Sequence, residues 1–397
     1  MNESDYILPD PLSMSDGTKV TSTDMWYNQR RPEILELFEK YVYGRIPDKL
    51  IDITFVITSV ENHALEGKAT RKEVSAIVKC PNGEITLHIL IFLPNNQEKP
   101  VATFLGMNFY GNHTVLSDFK ITMSKQWIPL RSGFSSKHRA IEKSRGRASD
   151  RWNVERIIER GYAIATIYCG DIDPDFDDNF KNGVHPLFYK QGQEKPEADE
   201  WGSISAWAWG LSRVMDYFET DDNIDHKRVA VLGHSRLGKT AMWAGALDQR
   251  FSIIISNNSG CGGAALSRRR TGETVKNINE FFPHWFCTNF KKFNDKEDEL
   301  PVDQHMLVTL MAPRPVYIAS AEEDLWSDPL GEFLTAKHAD LVYKLLGTDG
   351  LATDNIPELN APIMSTIGYH IRSGGHNISI YDWERYMDFA DLHFSNI

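Results

Sequence analysis

The sequence predicts an α/β protein, a three-layer sandwich whose mostly parallel central sheet is covered by helices on both faces. Two observations carry this. From residue 100 onward, continuous apolar runs alternate with helix-length segments, the rhythm of strands buried on both sides and joined by crossover helices. The strand-like run "RVAVL" leads directly into "GHSRLGKT" and then into the helical "KTAMWAGALDQR". That is a strand–turn–helix junction with reactive side chains in the turn.

Residues 1–25 are polar and read as an extended arm. "RRPEILELFEKYVYGRIP" places apolar residues at helical spacing and stops at Gly44 and Pro47, so it reads as a helix. Three strand-like runs follow: "IDITFVITSV", "EVSAIVKC" and "EITLHILIFLP". The last begins with the alternation of a half-buried strand. "PVATFLGM", "GYAIATIYC", "RVAVLGHS", "FSIIISN" and "RPVYIASA" are further strands. "DRWNVERIIER", "GSISAWAWGLSRVMDYFET" and the segment after "GHSRLG" are helices. Two long polar or aromatic insertions, 108–152 and 262–303, fall where α/β proteins build binding sites. The expected organisation is one catalytic domain over 1–397, with an arm and helix over 1–50.

Composition narrows the function. The chain has 397 residues, 41% of them apolar, and a net charge of −12. An acidic surface of that size argues against nucleic acid and anionic membranes as partners. The apolar runs are strand-sized, so no membrane span is expected. "MNESDYILPD" lacks the charged and apolar regions of an export signal. The expectation is a cytosolic protein, or an exported one whose signal has been removed. Cys80, Cys169, Cys261 and Cys287 form no C-x-x-C pair. They read as thiols in apolar surroundings, with one disulfide as the alternative.

"GHSRLGKT" fits two chemistries. G-x-x-x-x-G-K-T is the phosphate-cradling loop, and G-x-S after a strand opens a nucleophile elbow. A phosphate loop needs an acid at the end of a neighbouring apolar strand to help hold magnesium. "AIATIYCGD" offers Asp171 two residues late, and "VYIASAEED" is offset in the same way. A serine nucleophile needs a base and an acid further along the chain. "RPVYIASAEEDLWSDP" supplies acids just after a strand, and "IGYHIRSGGHNISIYDW" supplies His376 in a glycine-flanked loop. This order favours an α/β-hydrolase. One departure is that the elbow glycine expected two residues after the serine is Leu237, with Gly238 one place later.

"GHSRLGK", "NSGCGGAALSRR", "LPVDQHMLVTLMAPRPVYIAS", "EDLWSDPLGEF" and "SGGHNISIYDW" together resemble the glucuronoyl esterase-like carbohydrate esterases. Upstream, "FLGMNFYGNHT" and "GYAIATIYCGDIDPDF" extend the likeness to roughly residues 100–390. The resemblance implies a serine esterase acting on uronic acid esters of carbohydrates, with no cofactor and no metal. It makes Ser235 the nucleophile and His376 the general base. Arg236 becomes an oxyanion donor through its N–H and guanidinium, Lys239 a sugar contact and Trp326 a sugar platform.

The family's usual acid position reads Asn258 here, in "NNSG". An amide cannot stabilise an imidazolium by charge, so the acid is expected at the later strand end. Asp324 is the choice, with Glu323 and Asp328 as competitors. The run "SRRR" would suit the carboxylate of a uronate product. Two other readings stand beside this one: an acetyl esterase using the same triad, and a carbohydrate-binding relative with an impaired site. "GDIDPDFDDNF" lacks the glycine and glutamate of a calcium loop and reads as turns. His305 reads as structural.

Overall fold

The computed structural model describes residues 6–48, 51–98 and 100–395; residues 1–5 and 49–50, the outermost parts of the expected arm-and-helix segment, lie outside them. In chain order the main elements are helix α1 (Arg31–Phe38), strands β1 (Asp52–Ala64), β2 (Ala69–Cys80), β3 (Gly83–Pro94) and β4 (Val101–Asn108), helix α2 (Val154–Glu159), β5 (Ala163–Tyr168), α3 (Ser203–Phe218), β6 (Ile224–His234), α4 (Arg236–Leu247), β7 (Ile253–Asn257), α5 (Val275–Phe281), α6 (Gln304–Thr309), β8 (Val316–Ala321), α7 (Pro329–Leu345), β9 (Ile363–Met364), β10 (Ile367–Arg372) and α8 (Ile380–Phe394). The strands expected from sequence are all present.

The chain divides into two compact units, each built from three segments. One comprises 46–196, 206–231 and 378–397; the other comprises 1–45, 197–205 and 232–377. In the first, β1, β2 and β3 form an antiparallel meander, β3 pairs antiparallel with β5, and β5 pairs parallel with β4. The meander follows from its links. Cys80 pairs with Gly83 across a two-residue loop, and so short a connection can join only antiparallel strands. β4 and β5 are buried along their whole length.

The second unit carries β7, β8 and β10 in parallel, with β9 antiparallel at the β10 edge. Parallel neighbours need a crossover, and α7 with the segment after it supplies the one from β8 to β10. Strand β6 runs through the boundary at residues 231 and 232 and so ends in the second unit, at His234. Helix α4, which follows it, is buried from Leu237 to Ala246, Lys239 and Thr240 included. α1 is flanked by π-helical turns at Trp26–Arg30 and Glu39–Tyr43 and stops at Gly44. The arm before it is tied down by Arg30, which donates to the Pro11 and Asp10 carbonyls, and by His305, 2.9 Å from the Pro9 carbonyl.

None of the four cysteines is in a disulfide; Cys169, Cys261 and Cys287 are buried. The basic run departs from expectation. Arg268 and Arg269 are buried. Arg268 donates to the Leu300 and Val302 carbonyls and pairs with Asp303, and Arg269 pairs with Asp328. These arginines pin the 262–303 insertion in place and are not open to a carboxylate ligand. In the acidic loop after β5, the Asp171 carboxylate pairs with His88. No described helix is long and apolar enough to cross a membrane.

Candidate active site

The junction between β6 and α4 is a sharp elbow. Ser235 holds φ 59° and ψ −132°, a conformation that costs an L-residue on the order of 1–3 kcal/mol. Its N–H donates to the Asn257 carbonyl at 2.9 Å, and its carbonyl accepts from Gly238 and Lys239 as the helix starts. Position 233 must be glycine, because a Cβ there would lie 1.9 Å from the Leu237 carbonyl oxygen. The displaced glycine has its own reason. A Cβ at Gly238 would lie 3.0 Å from both the Gly233 oxygen and the Ser259 Cβ. A side chain at position 238 would press on the strand-end carbonyl and on Ser259, while Leu237 is free to bury its own.

The elbow brings Ser235 Oγ to 3.0 Å from His376 Nε2. On the other side of the ring, His376 Nδ1 lies 2.6 Å from Asp324 Oδ2. Of the three competing acids, Asp324 is the one in contact with His376. Asp328 is occupied by Arg269 at 2.7 Å, and Glu323 is exposed. Asn258 stands behind the acid, donating Nδ2 to Asp324 Oδ2 at 2.8 Å. Burial pushes the Asp324 carboxyl up, but the hydrogen bond and charge of His376, with hydrogen bonds from Ser327 and Asn258, outweigh it and hold it at about 2. The carboxylate is therefore ionised at neutral pH.

Arg236 opens α4, where backbone N–H groups have no acceptor within the helix. Its guanidinium sits 5.7 Å from the centroid of Trp285. That indole stacks on Phe282 at 3.8 Å with the rings 3° from parallel. Lys239 approaches the same indole at 5.9 Å. Its ammonium is enclosed, donating to the Ser259 and Cys261 carbonyls, each at 2.6 Å, and to Glu273 Oε2 at 3.2 Å. Three acceptors take its three protons. A sugar hydroxyl would meet Lys239 only by sharing one of these partners, and Glu273 is the side chain among them. Trp326 is half exposed, and its carbonyl accepts from the Glu273 N–H at 2.9 Å, which ties the indole's loop to the Lys239–Glu273 pair.

Sequence reasoning missed two members of this neighbourhood and the role of a third. Trp285 was visible only as part of the aromatic run "FFPHWF", and Glu273 stood unmarked in "RTGETV". Asn258 was noted for the charge it lacks, and its donation to Asp324 needed the fold. Among the described residues, no three His, Cys, Asp or Glu side chains are gathered as a metal would require.

A family model for fungal glucuronyl esterases matches residues 155–347. Carbohydrate esterase MZ0003, from an unknown prokaryotic organism, is 54% identical over 98% of this chain and 90% of its own length. A 4-O-methyl-glucuronoyl methylesterase of Phanerochaete carnosa is 28% identical over 83% of this chain and 70% of its own. Among solved structures, the glucuronoyl esterase of Solibacter usitatus superposes with a TM-score of 0.92 at 46% identity, covering 98% of both chains.

Proposed function

The chain belongs to the glucuronoyl esterase family of carbohydrate esterases, α/β-hydrolases that cleave carboxylic esters, and on that premise we propose that it hydrolyses uronic acid esters of carbohydrates through Ser235, His376 and Asp324. The observation that carries the proposal is the unbroken contact from Ser235 Oγ through His376 to Asp324.

Serine is a weak nucleophile at neutral pH and needs a base at hand during attack. Ser235 Oγ adds to the ester carbonyl carbon at C6 of the uronate and its proton passes to His376 Nε2. The carbonyl π pair moves onto oxygen. Asp324 keeps the Nδ1 proton in place and stabilises the imidazolium. The oxyanion is received by the N–H groups at the start of α4 and by the Arg236 guanidinium, whose charge is permanent. Preorganised donors of this kind contribute roughly 3–4 kcal/mol each. Collapse breaks the bond to the alcohol oxygen, which takes the proton from His376. Water, activated by His376, then attacks the acyl-serine and releases the uronate. Trp326 offers a face for the sugar ring, and the Lys239–Glu273 pair offers a charged partner to its hydroxyls.

The test is hydrolysis of methyl and benzyl esters of glucuronate and galacturonate beside 4-nitrophenyl acetate. Ser235→Ala should lose about 10⁴–10⁶-fold in kcat on the uronates. Equal rates for wild type and Ser235→Ala on every ester would overturn the proposal. Cleavage of acetate but of no uronate would assign the same triad to an acetyl esterase.

A further inference from the structure

Glu332 lies in the first turn of α7, buried with no exposed surface, and nothing in the mechanism above uses it. Every polar partner of its carboxyl group belongs to a segment that carries or supports the site. Oε1 accepts from the backbone N–H groups of Ser259 at 2.8 Å and Gly260 at 3.0 Å. Oε2 accepts from Ser320 Oγ at 2.6 Å. Ser320 is in β8, four residues before Asp324. Ser259 directly follows Asn258, which holds Asp324 Oδ2, and the Ser259 carbonyl is one of the acceptors enclosing Lys239.

We propose that Glu332 is a positioning residue for the catalytic acid: its carboxyl group joins the 258–260 turn to the end of β8, so that Asn258 and Asp324 are held in register for His376. The proposal rests on the reading of Ser235, His376 and Asp324 as the triad. Asn258 has φ 47° and Gly260 φ 59°, so the turn is tight and its orientation depends on what its N–H groups bind. A buried N–H left without an acceptor is costly. If the carboxyl were removed, the turn would rearrange to find other acceptors and carry the Asn258 amide away from Asp324.

The hydrogen-bond pattern also defines the conservative variant. Burial pushes the Glu332 carboxyl up to about 8, with the nearby Asp324 charge adding to the effect of burial and the Ser320 and Gly260 hydrogen bonds opposing it. A neutral acid satisfies every partner: Oε1 accepts from both N–H groups while Oε2–H donates to Ser320 Oγ, which can accept as well as donate. Glutamine reproduces that arrangement, with Oε1 accepting and Nε2 donating. Alanine and leucine do not.

The experiment compares Glu332→Gln, Glu332→Ala and Asp324→Asn in the full chain, with Leu334→Ala on the same helix as a packing control. Each is assayed for kcat, KM and the pH profile of kcat/KM on benzyl glucuronate, beside its Tm. Glu332→Gln should keep kcat within about threefold of wild type. Glu332→Ala should lose about 30-fold in kcat with KM nearly constant. Its acidic limb should move to lower pH, because a loosened Asp324 stabilises the imidazolium less. Leu334→Ala should lower Tm without moving kcat or the limb. The proposal is overturned if Glu332→Ala keeps the wild-type kcat and limb, if Glu332→Gln is as damaged as Glu332→Ala, or if Leu334→Ala reproduces the limb shift. Full activity in Asp324→Asn would instead remove the triad reading on which the proposal rests. Should Glu332→Ala fail to fold, Ser320→Ala tests the same link and should show the same limb shift in weaker form.

Discussion

Asn258 donates its side-chain amide to Asp324 across 2.8 Å, on the same carboxylate oxygen that faces His376 Nδ1 at 2.6 Å. The position where the resemblance leads one to expect the acid holds instead an amide that donates to Asp324. The carboxylate beside His376 comes instead from the loop after β8, and the Asn258 amide helps fix it.

This arrangement separates the two residues in a mutational test. Asp324→Asn removes the charge behind the imidazole and should lower kcat by about 10⁴-fold on a uronate ester. Asn258→Ala removes one of several hydrogen bonds to Asp324 and should cost only about tenfold. Losses of similar size in the two variants would reassign the acid.

The elbow predicts a conflict between stability and activity. Ser235 sits at φ 59°, in territory that glycine occupies without strain. Ser235→Gly should abolish hydrolysis while stabilising the fold by about 1 kcal/mol, the relieved strain exceeding the added flexibility of the unfolded chain. Urea unfolding of wild type and variant reads this directly, and a destabilised Ser235→Gly would refute it.

Glu332 makes stability depend on pH in a defined direction. Its folded carboxyl is raised to about 8 by burial, above the unfolded value near 4.3. The stability it contributes is fully present below about pH 4.3 and is lost as pH rises through about 8. Glu332→Gln lacks this dependence. Its Tm should therefore rise relative to wild type between about pH 5 and pH 9, as read by thermal unfolding across that range.

Trp326 is half exposed and tied through its carbonyl to Glu273. If it packs on the sugar, Trp326→Ala should raise KM for benzyl glucuronate by about tenfold with kcat changed far less. Its effect on 4-nitrophenyl acetate, which carries no sugar, should be small. A kcat loss shared equally by both substrates would place the indole's role in holding the Asp324 loop.

Much of this protein was legible in the chain alone, because those features are local. Apolar runs of strand length and helical spacing specified the elements, and "GHSRLGK" marked the elbow, since a strained serine between a strand and a helix needs a small neighbour on its tight side. His376 stood out through the two glycines before it. What only the tertiary structure decided were relationships between distant side chains within short polar segments. Glu323, Asp324 and Asp328 lie within six residues of one another, and no periodicity says which one turns toward a histidine 52 positions after Asp324. Lys239 and the arginines of "SRRR" read as ligand-facing charges, yet carbonyls and carboxylates from other loops enclose Lys239, Arg268 and Arg269. Nothing in the segment "EDLWSDPLGEF" marks Glu332. Its role depends on two backbone N–H groups more than 70 residues earlier in the chain, a partnership that burial enforces and local sequence does not express.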